Sequence, residues 1–130
     1  MNHELPKLVR IKRDKNGIIQ DCDIYIGRKC TMGGWNLPES KWHNPYTIRE
    51  YKTAQKVCHL FLKYIIQSKL FHEIPKLSGK TLGCWCDIPK TNIIPIFFCH
   101  GCVLIQLYKI IASNNFDTHL VQEILADVFC

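Results

Sequence analysis

Residues 47–86, TIREYKTAQKVCHLFLKYIIQSKLFHEIPKLSGKTLGCWC, decide the fold. Ile48, Tyr51, Ala54, Val57, Cys58, Phe61, Leu62 and Ile65 recur at intervals of three and four with charged residues between them, which predicts one amphipathic helix over Thr47 to Leu70. Pro75 and Ser78-Gly79 break that period, and KTLGCWC, Lys80 to Cys86, reads as a buried strand. Working outward toward the N-terminus, Asp23 to Ile26 (DIYI) is a second short strand. Two strands joined by one crossover helix are parallel, and the loops that leave them emerge at the same edge of the sheet. Open α/β sheets take their ligands at that edge. The long loop GRKCTMGGWNLPESKWHNPY, residues 27–46, is therefore expected beside the stretch Cys84 to Gly101.

The remaining elements follow from the same signals. Leu8, Val9 and Ile11 alternate with basic residues in a strand over Lys7 to Arg13, and Asn16-Gly17 is a hairpin turn. After Gly101 the set Val103, Leu104, Leu107, Tyr108, Ile110 and Ile111 has helical spacing. A polar break at Ser113-Asn114-Asn115 precedes a last amphipathic segment, Asp117 to Phe129. No repeat or linker interrupts the 130 residues, and a chain of this length buries enough surface to fold without disulfides or metal. The expectation is an α/β fold: a small, single-domain, partly parallel sheet over 1–130, with a crossover helix, C-terminal helices and a Rossmann-like arrangement.

Seventeen Lys and Arg against eleven Asp and Glu give a formal charge of +6, which favours anionic partners. No apolar run reaches membrane-spanning length and the first residues, MNHELPKLVRIKRDK, do not resemble a signal peptide, so the reading is an intracellular protein with no membrane contact. Eight cysteines in a reducing compartment point to metal or thiol reactivity rather than to a disulfide framework.

Four of those cysteines cluster. Cys84 and Cys86, two apart on a strand, point to one face with Trp85 on the other, and Cys99-His100-Gly101-Cys102 follows at the start of a helix. Two thiolates from a strand end and two ligands from a helix start close a tetrahedral zinc site, the fourth ligand being either His100 or Cys102. The plainer alternative is four small thiols buried in a core. A third reading makes Cys99, at a helix N-terminus where thiol pKa values fall, a nucleophile with His100 as its base, although no Asp or Asn stands by to orient the histidine. The His-x-Glu half of a nucleoside-deaminase signature is missing.

Arg28, Lys41, Trp42, Asn44 and Arg49 gather charge, aromatic surface and hydrogen-bonding capacity in the first loop and the helix start behind it. Such a set suits a nucleotide or nucleic acid, with Arg and Lys on phosphate, Trp stacked on a base and Asn reading its edge. Self-packing of the loop around its own tryptophans is the alternative. Neither a P-loop nor a dinucleotide glycine pattern is present, and Gly33-Gly34 alone does not make one.

The succession Tyr25-Ile26-Gly27-Arg28, Ser40-Lys41-Trp42-His43-Asn44-Pro45-Tyr46, Cys84-Trp85-Cys86 and Cys99-His100-Gly101 resembles a domain-of-unknown-function family found in bacteria, phages, some eukaryotes and large DNA viruses. The resemblance covers roughly residues 23–109, leaving a C-terminal helical segment at 113–130. Two departures stand out: Cys102 takes the place of the family's usual Asp, and the segment between Cys86 and Cys99 is longer than expected, carrying the apolar IIPIFF. The resemblance implies a set of site residues and no established activity. A viral member would work in the cytoplasm or nucleus of its host, as a nucleotide-binding module, as an enzyme acting on a nucleotide or nucleoside, or as a structural subunit with a protein partner on its apolar surface.

Overall fold

A computed structural model describes residues 4–86 and 99–130 of the chain. Strand β1 (Lys7–Arg10) is followed by a hairpin of β2 (Lys12–Asp14) and β3 (Gly17–Gln20), then by β4 (Ile24–Tyr25). The long loop leads into a single helical turn, α1 (Ile48–Tyr51), and the main helix α2 (Ala54–Ile66). A 3-10 run (Lys69–Leu77) then precedes β5 (Thr81–Cys84), and α3 (His100–Ser113) and α4 (Thr118–Phe129) complete the described part.

The crossover expected from the sequence is present. β5 is the central strand of a three-stranded sheet ordered β1-β5-β4, and both of its pairings are parallel, Leu8 and Ile24 lying on either side of Leu82. The apolar faces of α2, the 3-10 run and α3 bury Phe61, Ile65, Ile66, Phe71, Ile74, Leu104 and Tyr108 around Leu82 and Ile26. α4 closes the far side with Val121 and Leu125.

Local chemistry changes two of the boundaries. The helix expected as one piece over Thr47 to Leu70 is divided, because Thr47 and Thr53 each cap a helix start: Thr53 Oγ1 accepts from Lys56 N at 3.1 Å, and Lys52 between the two helices takes φ 77°. Ser68 then caps the 3-10 run, whose last turn contains Pro75. The strand expected over Lys7 to Arg13 splits at Ile11, which is buried while its neighbours turn outward into the hairpin. The segment DIPKTNIIPIFF lies outside the described residues.

Two glycines let the layers approach. A Cβ on Gly83 in the central strand would collide with Cys22 and with Ile11 Cγ2, and one on Gly101 would lie 2.5 Å from Leu8 Cδ1 and 2.9 Å from Ile26 Cδ1. The first turn of α3 therefore seats directly on the sheet, at the edge where β4 and β5 end. That seating positions Cys99 and His100.

Candidate metal centre and its pocket

Cys84 is the last residue of β5, Cys86 lies two beyond it and Cys99 is the N-cap of α3; their sulfur atoms all fall within 4.8 Å of one another. The period-two alternation at the strand end puts Cys84 and Cys86 on the inner side and leaves Trp85 40% exposed. Cys84 Sγ lies 3.6 Å from the carbonyl oxygen of Val9, and Cys99 Sγ accepts from the amide of Gly101 at 3.4 Å, so both thiols are flanked by backbone. Zinc with Zn–S bonds of about 2.3 Å sets two tetrahedral sulfur ligands ~3.8 Å apart, so the triad could hold such an ion after movements on the order of 1 Å. Among the described residues this is the one group of three or more Cys, His, Asp or Glu with such spacing.

The three thiols share one negative charge. Cys84 and Cys99 donate to the sulfur of Cys86, and His100 and Arg10 lie near it, so Cys86 is held well below the ordinary thiol range. The same sharing pushes Cys84 up, chiefly through Cys86, and pushes Cys99 up through Cys84 and Cys86. The depressed pKa expected at Cys99 from its helix N-terminus falls instead on Cys86, because the hydrogen bonds among the thiols outweigh the helix end.

His100 sits half-buried against Phe61, edge to face at 5.1 Å. Its Nε2 is 2.7 Å from the carbonyl oxygen of Ile26, which can only accept, so Nε2 carries the proton and Nδ1 keeps its lone pair. Burial lowers the His100 pKa and favours this neutral form. Its ring nitrogens lie outside the sulfur triangle. Cys102, in the first turn of α3, is buried beyond that triangle too, its thiol pushed up by burial.

The triad forms the floor of a pocket of about 450 Å³. Its walls are Gly27 to Cys30 of the first loop, Asn44 and Tyr46 of the same loop's end, Thr47 and Ile48 at the start of α1, and Ala54, Val57 and Cys58 of α2; Tyr25, Trp85 and His100 complete it. The two stretches that the parallel crossover was expected to bring together do meet here. Arg28 reaches across the loop, donating to the carbonyls of Asn44 at 2.7 Å and Tyr46 at 3.5 Å. Asn44 donates in turn to the Val57 carbonyl at 3.0 Å and accepts from the Tyr46 amide at 2.9 Å, which ties the loop to α2. Lys41, Trp42 and Arg49 are not part of the wall. Lys41 pairs with Glu73 at 2.7 Å, Trp42 is 3% exposed within the core, and Arg49 is exposed on α1.

Tyr25, Lys29, Tyr46 and Cys58 line the pocket without having been singled out from the sequence as site residues, whereas Trp85, to which the family resemblance pointed, lines it as well. Nothing in the spacing marks Cys58, which shares the apolar stripe of α2 with ordinary core residues and whose thiol is pushed up to about 12 by burial.

Residues 9–110 match the profile of a family described as Domain of unknown function (DUF4326). The chain is also similar to an uncharacterized protein of Acanthamoeba polyphaga mimivirus, 62% identical over 125 residues that cover 96% of each chain. No solved structure matches it.

Proposed function

The chain belongs to the DUF4326 family, a domain of unknown function, and from that premise we propose that it is a zinc-binding α/β module whose metal orders a pocket for a nucleotide or a nucleic-acid phosphate. The observation that carries this reading is the sulfur triangle of Cys84, Cys86 and Cys99 on the pocket floor. An all-sulfur set selects a soft or borderline ion such as zinc over magnesium or calcium. Three protein ligands leave one tetrahedral position for His100 Nδ1, Cys102 or a ligand atom from the pocket. The Ile26 carbonyl on His100 Nε2 is the kind of contact that fixes the tautomer of a metal-bound imidazole. All eight cysteines are free, which suits a reducing compartment such as the cytoplasm or nucleus of a host cell.

The ligand class rests on the pocket walls. Arg28 and Lys29 offer cationic groups at the rim, Tyr25, Tyr46 and Trp85 offer ring surface, and Asn44 holds the loop in place. The β4-α2-β5 unit is read as half of a Rossmann-type arrangement, with this pocket at the strand ends. Because the pocket opens onto the triad, a hydrolase or transferase acting on a nucleotide or nucleoside is the second reading.

Elemental mass spectrometry of protein purified without a chelating tag decides the metal. The expected result is one zinc per chain, lost in Cys84→Ser and in Cys99→Ser; metal-free wild-type protein overturns the reading. Adenosine monophosphate should raise the melting temperature of the zinc-loaded protein and not that of Arg28→Ala, and catalytic turnover of a nucleotide panel separates the enzyme from the binding module.

A further inference from the structure

We infer that a row of aromatic side chains leading out of the pocket, capped by a basic hairpin, is a binding track for single-stranded nucleic acid. The inference extends the pocket reading above, because the pocket then receives one nucleotide of a longer strand.

The row begins at the pocket wall. Tyr25 and Trp85 meet edge to face at 6.2 Å, and Trp85 meets Trp35 in the same way at 5.7 Å. Beyond Trp35 the guanidinium of Arg13 lies 5.9 Å from the ring centre, against Gly34, whose missing side chain makes room for it. One end of the row is thus the pocket with Arg28 and Lys29, and the other is the β2-β3 hairpin with Lys12, Arg13 and Lys15, all exposed.

The rings are held in place. Trp85 Nε1 donates to the Tyr25 hydroxyl at 2.8 Å, and that hydroxyl donates to the Arg28 carbonyl at 2.5 Å. Trp35 sits on a short loop closed by two backbone hydrogen bonds between Cys30 and Leu37, 2.9 and 2.8 Å long. Locked rings lose little entropy when a base stacks on them, and every base offers a π-face. Trp85 is 40% exposed, which leaves ring surface open to a base.

The charges match a polyanion. Lys12, Arg13 and Lys15 on the hairpin and Arg28 and Lys29 at the pocket outnumber the neighbouring Asp14, Asp21 and Asp23, in line with the formal +6 of the chain. Duplexes are a poor fit, since their bases are already stacked and paired and cannot reach the indoles.

Fluorescence anisotropy with fluorescein-labelled dT12 and rU12, at 50 and 200 mM salt on the zinc-loaded full chain, tests the inference; comparison of the two oligomers separates DNA from RNA. Both indole variants, Trp35→Leu and Trp85→Leu, should weaken binding about tenfold each, while Trp35→Phe, which keeps a ring face, should largely restore it. Arg13→Gln with Lys15→Gln should weaken binding and flatten its salt dependence, and Lys63→Gln on α2 should change neither. The inference is overturned if neither oligomer binds at 50 mM salt, if the leucine variants bind as wild type does, or if a 12-base-pair duplex binds as tightly as the single strands. The zinc content and the adenosine monophosphate shift are read on the same samples. If these fail while the indole dependence holds, the pocket reading falls and the track stands; the converse result removes the track alone.

Discussion

Titration of zinc into the metal-free protein provides the sharpest test of the sulfur triangle, because the charge state of its three thiols sets the number of protons released. Cys86 is held as a thiolate by donation from Cys84 and Cys99, whereas those two are pushed up and remain protonated at neutral pH. Only thiolates bind the metal, so at pH 7 two protons leave per zinc, one each from Cys84 and Cys99. Each released proton makes the affinity rise about tenfold per pH unit, hence roughly 100-fold for two, or about 2.7 kcal/mol per pH unit. The sign follows directly: acid returns protons to the ligands and expels the metal, and base tightens binding. Isothermal titration calorimetry in PIPES and HEPES, whose ionisation heats differ, gives the count from the slope of observed enthalpy against buffer enthalpy. The expected count is about two in wild type, and Cys99→Ser should give no stoichiometric binding heat. A count near zero, or an affinity independent of pH between 6 and 8, would refute thiolate ligation; a count of three would place the proton on Cys86 as well and refute the charge sharing.

Further outcomes concern the scaffold that holds the site. Gly101→Ala should destabilise the protein by about 1–2 kcal/mol in urea unfolding, because the new methyl group meets Leu8 and buried Ile26 and this overpacking exceeds the helix preference of alanine. Asn44→Ala removes the bond to the Val57 carbonyl that ties the pocket loop to α2 and the bond from the Tyr46 amide within the loop, and should cost about 1–3 kcal/mol, with faster amide exchange at Tyr46. Tyr108→Phe loses the 2.8 Å bond from the tyrosine hydroxyl to Ser78 and should cost about 1 kcal/mol by the same unfolding assay. Lys41→Ala, which breaks an exposed pair with Glu73 and a 5.8 Å contact with the Trp42 ring, should cost about 1 kcal/mol.

The sequence by itself determined the parallel pairing of DIYI with TLGCWC, since one helix-length amphipathic stretch between two short apolar strands leaves few other connections. It also determined that Cys84 and Cys86 share a face, because strand alternation is a local rule. Where short-range competition decides, the reading blurred. Thr53 has the side chain of a helix cap, yet the apolar period runs through it undisturbed, so the break at Lys52 is set by capping and a left-handed residue that periodicity does not register.

The composition of the site was settled by contacts between segments distant in the chain. Cys99 joins the triangle while Cys102, three residues later, turns into the core, because the close seating of Gly101 on the sheet fixes the rotation of the first turn of α3. Trp42 and Lys41 share the first loop with Arg28, yet one is drawn into the core by its apolar area and the other is held by Glu73 from the 3-10 run. Arg28 is directed by two carbonyls sixteen and eighteen residues away. Composition identified side chains able to meet a nucleotide, but which of them face the pocket depends on partners distant in the chain, and spacing along the sequence carries no record of those contacts.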